Sequence, residues 1–335
     1  MVLDEIVGVL AARRGRAAEE TETMKKRRWL VGALSGLLLM VGPVLAEKRP
    51  STCQGRTIVT IMPAKTGQTV PSVSVQDLKG KVSGKEMNVT KWSQLRADSD
   101  PLELVILIDG SARTSLGLQL TTVARFIEQM PKNSKMAIAY MLNGRALFAS
   151  SLSSDPSAVL RGLHAPMALP ESNGSPYFSL SDLAKNWPST DPTARREVLM
   201  ITDGVDEYEM HYDPEDPYVQ TAIRDSLKAR LVVYAMYWTN RGWFDNTQYE
   251  NDSGQNLLIQ VVQATGGISF WQGMGNPVTL DPYFDQLRQI LNNQYELQFT
   301  VPLKARTHIQ SMKLQVKAGP VKVTAPDRVF VDWEN

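Results

Sequence analysis

The chain has 335 residues, 43% hydrophobic and 21% charged, which suits a folded protein of about two domains and excludes a disordered one. Lys and Arg number 36 against 35 Asp and Glu, and this net charge of +1 argues against recognition of nucleic acid through bulk positive charge. A single cysteine, Cys53, excludes an internal disulfide framework and thiolate zinc sites; His164, His211 and His308 lie in no HExxH setting.

Residues 1–46 read as an extension that ends in an export signal. Lys25, Lys26, Arg27 and Arg28 precede an apolar run at 29–40, Gly42-Pro43 breaks any helix, and Val44-Leu45-Ala46 offers a cleavage site. Cleavage leaves an exported chain, periplasmic or extracellular. Without it, residues 29–46 anchor the protein, being near the lower limit of ~17–25 residues for a span. That segment is the only membrane contact expected, and Met24 is an alternative start of translation.

Residues 56–98 form a small β-rich segment. Residues 57–62 are rich in β-branched side chains, Gly67-Gln68 turns the chain, Val70, Val73 and Val75 continue the pattern, and 87–92 form another run. Residues 80–86, GKVSGKE, superficially suggest a phosphate loop. The spacing is short and Glu86 stands where Ser or Thr must bind magnesium, so this is a basic hairpin.

Strands and helices alternate over 101–292. The apolar run 104–108 ends in Asp109 and the run 198–201 ends in Thr202-Asp203-Gly204, both signatures of strands buried on two faces. Further strands are expected at 136–142, 146–150, 231–236 and 268–271, with Asn143-Gly144 as a hairpin turn. Helices are expected where apolar residues recur at helical spacing from Leu116 to Met130, and over 155–163, 178–187, 218–230, 257–265 and 284–291. The expected class is α/β, a doubly wound and mainly parallel sheet flanked by helices. From 294 to 332 the period returns to two, giving a C-terminal β appendage.

In such a sheet ligands bind beyond the carboxyl ends of the strands. Asp109-Gly110-Ser111-Ala112-Arg113 and Thr202-Asp203-Gly204 fall there, and Gly174-Ser175 precedes a helix. On these residues the chain resembles the von Willebrand factor type A domain family. It looks especially like a secreted bacterial branch with a β segment before that domain and strands after it, over roughly 56–332. The resemblance implies a Rossmann-like fold, a role in protein adhesion, and a Mg²⁺ site built from Asp-x-Ser-x-Ser, a Thr and an Asp. Asp109, Ser111 and Asp203 match; Ser175 stands at the Thr position and keeps its hydroxyl.

Arg113 replaces the second Ser of that motif, so the implied metal site is degenerate. It removes a hydroxyl ligand and adds a cation; unit charges a few ångströms apart repel by about 3–4 kcal/mol at an effective dielectric of ~20. Arg113 could instead pair with Asp109 or Asp203 and close a metal-free pocket. Weak Mg²⁺ binding is the alternative, and no other cofactor is indicated.

The stretch after Asp203 is acidic, with Asp206, Glu207, Glu209, Asp213, Glu215 and Asp216, and its spacing is not that of an EF-hand. It reads as a solvated loop; Tyr208 and Tyr212 within it, with Arg113, Trp243 and Phe244, are candidates for partner contact. A Ser111/His211/Asp203 arrangement is formally available, but no nucleophile elbow or dinucleotide fingerprint occurs. The expectation is an exported, non-enzymatic module binding a protein of unknown identity, metal-independent or weakly Mg²⁺-dependent. The rival readings are an envelope hydrolase using the acidic loop and a structural envelope protein with a decayed metal site.

Overall fold

The computed structural model describes residues 52–333 except 66, 97, 168–173, 210, 241–246, 272 and 304–305. The expected export signal, with Trp243 and Phe244, lies outside the described residues. In chain order the strands are β1 (Cys53–Pro63), β2 (Leu78–Val82), β3 (Lys85–Glu86), β4 (Asn88–Leu95), β5 (Leu102–Asp109), β6 (Ser134–Leu142), β7 (Arg145–Phe148), β8 (Arg195–Thr202), β9 (Leu231–Tyr237), β10 (Ser269–Phe270), β11 (Gln294–Val301), β12 (Ile309–Val316), β13 (Val321–Thr324) and β14 (Arg328–Trp333). The helices are α1 (Leu120–Glu128), α2 (Pro156–Leu160), α3 (Pro176–Lys185), α4 (Pro217–Ala229), α5 (Gln248–Thr265) and α6 (Asp281–Leu291).

Two sheets result. The central one runs β10-β9-β8-β5-β6-β7, parallel throughout except for the antiparallel edge strand β7. Its inner strands are apolar without alternation because both faces are covered. Leu104, Ile106 and Ile108 of β5 pack with Phe126 of α1 and Phe284 of α6, whose rings are 4.6 Å apart. Val105 and Leu107 face the other way, into a cluster with Leu180 of α3, Ile223 of α4 and Val261 of α5. Each such side chain contributes roughly 1.5–3 kcal/mol by leaving water. The turn into β7 is Asn143-Gly144, with φ of 52° and 65°, the left-handed pair that a tight hairpin requires.

The mainly parallel sheet is only the smaller of the two. The β-rich segments at either end of the chain join in one eight-stranded antiparallel sheet, β3-β2-β12-β14-β1-β11-β4, with β13 also paired to β1. Register runs from Cys53 opposite Val301 to Thr60 opposite Gln294. Each segment alone would leave β1 or β11 as an open edge, and pairing them satisfies both backbones. Val59, Ile61, Leu297 and Phe299 form the core of this sheet.

Two local expectations need correction. Residues 70–75 do not continue β1; Val75–Asp77 is a 3₁₀ turn, closed by the Ser74 N–H and hydroxyl donating to Asp77 at 2.8 and 2.7 Å. Pro71 removes a ladder donor there. Helix α5 begins nine residues before Leu257, because Thr247 and Glu250 cap each other's backbone N–H and start the helix in a polar stretch. No helix among the described residues is long and apolar enough to cross a membrane.

Candidate functional site

Strands β5 and β8 are parallel neighbours, with Ile108 opposite Ile201, so Asp109 and Thr202-Asp203 leave the sheet side by side. From β5 the chain moves outward to β6 and β7; from β8 it moves the other way to β9 and β10. That reversal opens a crevice beyond the carboxyl ends of the strands. The start of α3 closes one side: Ser175 is its N-cap, buried, with its hydroxyl donating to Asp206 at 2.9 Å.

Asp109, Ser111, Ser175 and Asp203 all line one cavity of about 40 Å³, together with Asn143, Glu207 and Asn240. One water needs roughly 10–15 Å³ by this measure, so the cavity has room for an ion with a few waters. Asp109 accepts from the Ser111 N–H at 2.9 Å and hydroxyl at 2.7 Å through one oxygen, and from the Thr202 hydroxyl at 2.8 Å through the other. Asp203 accepts from the Val205 N–H at 3.0 Å.

The loop carrying Asp203 lies against α5 at very short range. A Cβ on Gly254 of that helix would sit 2.4 Å from the Asp203 carbonyl oxygen, and Gly204 adopts a φ of +72°. Tyr177, fully buried in α3, donates to the Gly204 carbonyl at 2.8 Å. Two helices, α3 and α5, therefore hold the loop after β8 in place.

Burial, with the neighbouring charges of Asp109 and Glu207, pushes the Asp203 carboxyl up to about 8, against the Val205 N–H and the Asn240 side chain. Burial likewise raises Asp206 to about 6, opposed by the Ser175 hydroxyl and the N–H groups of Tyr208 and Glu209. Two acids crowded into low dielectric favour a proton or a cation between them. The oxygen-only donor set fits a hydrated Mg²⁺, which Asp109, Ser111, Ser175 and Asp203 would hold. Among the described residues no group of three or more His, Cys, Asp or Glu forms a richer ligand cluster.

Arg113 does not line the cavity. Its backbone N–H donates to the Asn240 side chain at 3.0 Å, and it is Asn240 that reaches Asp203. Asn240 is not singled out by the sequence, while Glu207 is read there only as part of a solvated acidic stretch and Asn143 only as a hairpin turn; all three line the cavity. The available signals were a polar residue just beyond the buried β9, an acid four positions after Asp203, and a hairpin turn at the same sheet edge.

The stretch after Asp203 is not simply a solvated loop. Asp206 and Asp216 are 2% and 1% exposed. Asp206 accepts from the Tyr208 N–H at 2.9 Å, Asp213 from Glu215 at 2.8 Å, and Asp216 caps α4 through Tyr218 and Val219 at 2.7 and 2.9 Å. The acids fold the backbone around themselves, as short Asx turns do. Tyr208 stacks edge-on with Phe178 and Tyr218, ring centres 5.3 and 5.1 Å away. Tyr212 is half-buried against the core under α4 and α5. His211 is exposed and does not line the cavity.

The four most exposed large apolar side chains among the described residues cluster at this end of the sheet. Leu118 (82%) lies between β5 and α1; Met274 (76%) and Val278 (96%) lie between β10 and α6; Met167 (81%) lies in the segment leading to α3. Gln119 links two of these loops, donating to the Val278 carbonyl at 3.1 Å and accepting from the Leu280 N–H at 3.1 Å. Ala165 packs beside Gly117, bringing the Met167 segment to the same place.

No family model matches the chain, and no curated protein matches it. Among solved structures, the conserved hypothetical protein BatB from Bacteroides thetaiotaomicron is 15% identical, with 57% of this chain aligned to 97% of that one at a TM-score of 0.41. The von Willebrand factor domain of the type V pili tip protein Mfa5 from Porphyromonas gingivalis is 12% identical, over 58% and 95% of the two chains, at 0.41. The pilus adhesin SpaC from Lactobacillus rhamnosus GG is 9% identical, over 80% and 49%, at 0.42.

Proposed function

We propose that the von Willebrand factor A-like domain of this chain is the binding module of an exported, non-enzymatic protein, and that it recognises a protein partner over the carboxyl end of its central sheet. The observation that carries this reading is the group of protruding apolar side chains, Leu118, Met167, Met274 and Val278, on loops at the same end of the sheet as the acidic cavity. Exposed apolar groups on short, anchored loops offer buried area to a partner at little ordering cost.

Binding is metal-independent or only weakly Mg²⁺-dependent. Arg113 offers no hydroxyl where the family motif has one, and the Asn240 amide already supports Asp203. Arg113 and Tyr208 belong to this contact surface, while Trp243 and Phe244, expected contacts from the sequence, lie outside the described residues.

The test is affinity capture from an envelope extract with the full chain, comparing wild type with Leu118→Glu/Val278→Glu and with Asp203→Ala. A partner retained by wild type and lost with the double variant, at unchanged thermal stability, is expected. Equal capture by both overturns the assignment of the surface. Turnover of ester or glycoside substrates that disappears in Asp203→Ala overturns the non-enzymatic reading.

A further inference from the structure

The opposite end of the central sheet carries a cleft of different chemistry. It lies where the first residues of β8 and β9 meet β1 and β14 of the antiparallel sheet, with the end of α4 at its mouth, and its volume is about 240 Å³. By the measure in which one water needs roughly 10–15 Å³, that is room for a small organic molecule. Ile58, Leu231, Val232, Val329 and Phe330 form an apolar floor.

The polar lining is strongly one-sided. Five basic residues, Arg56, Arg195, Arg196, Lys228 and Arg230, line the cleft, and Asp191 is the only acid among the lining residues. Asp191 is occupied by the Thr193 N–H and hydroxyl at 2.8 and 2.7 Å. Arg56 and Arg196 are braced on carbonyls, donating to Pro192 at 3.0 Å and Ser189 at 2.9 Å, and each is also paired through Nε with an acid behind the cleft, Arg56 with Glu296 and Arg196 with Glu103 at 3.9 Å, which fixes them with one Nη of each left for a ligand. Lys228 and Arg230 are exposed and make no ion pair among the described residues.

Two features show positive charge retained here at a cost. Arg230 caps α4 with a φ of +60°, a left-handed position where glycine is the unstrained choice. Arg195, 3% exposed in the wall, gives one nitrogen to the Leu291 carbonyl at 2.8 Å and to Gln294, but its Nε and second Nη have no hydrogen-bond partner among the described residues. Burial pushes the adjacent Glu197 toward its neutral acid, against the pull of Arg195, so that charge is poorly compensated from within.

We propose that this cleft binds a small carboxylic acid with an apolar body, the body on the Ile58–Val232–Phe330 floor and the carboxylate between Arg56, Arg196, Lys228 and Arg230. Guanidinium groups match a carboxylate through paired N–H donors, and a cleft lined by one sign of charge concentrates the opposite sign. The site is separate from the binding surface proposed above and stands or falls independently of it.

Titration of the full chain with phenylacetate, followed by calorimetry and by methyl NMR shifts, tests the proposal. Saturable binding with a Kd on the order of 1 mM is expected, with shifts at Leu231 and Val329. Neutral 2-phenylacetamide should bind at least tenfold more weakly, and sulfate, a charge without the body, should not move those methyls. Lys228→Gln/Arg230→Gln, two exposed changes, should weaken phenylacetate about fivefold with an unchanged melting temperature. Binding of a phenylalanine-terminated heptapeptide as well would assign the site to a peptide carboxyl terminus; binding of phenylacetate alone would assign it to a free acid. Equal affinity for the amide, indifference to the double variant, or no saturable binding of phenylacetate would overturn the proposal.

Discussion

The two ends of the central sheet differ in charge, size and strain. At the carboxyl ends of β5 and β8, acids crowd around a cavity of about 40 Å³; at the amino ends of β8 and β9, arginines and a lysine surround a cleft of about 240 Å³. The acidic end is tight because glycine and buried hydroxyl groups let a helix press on the strand termini. The basic end is open where β8 and β9 meet β1 and β14 and the seam between the two sheets is not filled. One scaffold thus offers an ion-sized site and a molecule-sized site, each set by the packing beneath it.

The largest effect that would break this comparison is expected at Gly254. Gly254→Ala should raise intrinsic helix propensity by ~1 kcal/mol, yet its new Cβ would lie 2.4 Å from the Asp203 carbonyl oxygen and 2.7 Å from the Val205 nitrogen. A net destabilisation of about 3 kcal/mol in chemical denaturation is the expected outcome. A neutral or stabilising result would mean that the acidic end is not held by that contact.

Next comes the crowding of acids. Because the folded Asp203 keeps its proton up to about 8 while an unfolded aspartate loses it near 3.8, the folded state binds more protons in between. Stability must therefore fall as pH rises from about 4 to 8. Asp203→Asn should remove that slope and stabilise the protein by about 1–3 kcal/mol at pH 8, read from thermal melts across pH. A variant less stable than wild type at pH 8 would show that Asp203 is ionised and paired there.

The smallest effect concerns the cation. Mg²⁺ at a concentration equal to its Kd stabilises by only about 0.4 kcal/mol. Wild type should show little shift in millimolar Mg²⁺, and Arg113→Ser should tighten Mg²⁺ roughly tenfold by calorimetry. Sub-micromolar binding to wild type, or no gain in the variant, would blunt the contrast between a cation-poor and a cation-ready acidic end.

Much of the acidic end was legible in the residues alone. Uninterrupted apolar runs that stop at Asp109 and just before Asp203 mark strands buried on both faces, and such strands deliver their next residues to one edge. Ser175 ahead of an amphipathic stretch was visible for a similar reason. Asn240 and Glu207 were not, because their importance arises from contacts with Asp203 that no local pattern encodes. The acids after Asp203 look solvated by composition, yet Asp206 and Asp216 are buried, since each accepts N–H groups of its own turn. The antiparallel sheet was the least legible part: a period of two identifies strands but carries no record of the partner strand. The basic cleft lies in the seam that this pairing creates, out of reach of any reading along the chain.

The pairing of β1 with β11 also bears on how the protein is made. Cys53 donates to the Leu303 carbonyl, 250 positions away, so β1, the earliest of the described strands, has no neighbour until β11 and the strands after it have emerged. The central sheet, built from segments adjacent in the chain, can assemble first, and the outer sheet is then the late, slow step of maturation. A truncation before Gln294 would leave β1 with nothing to zip against and a sticky ribbon in its place.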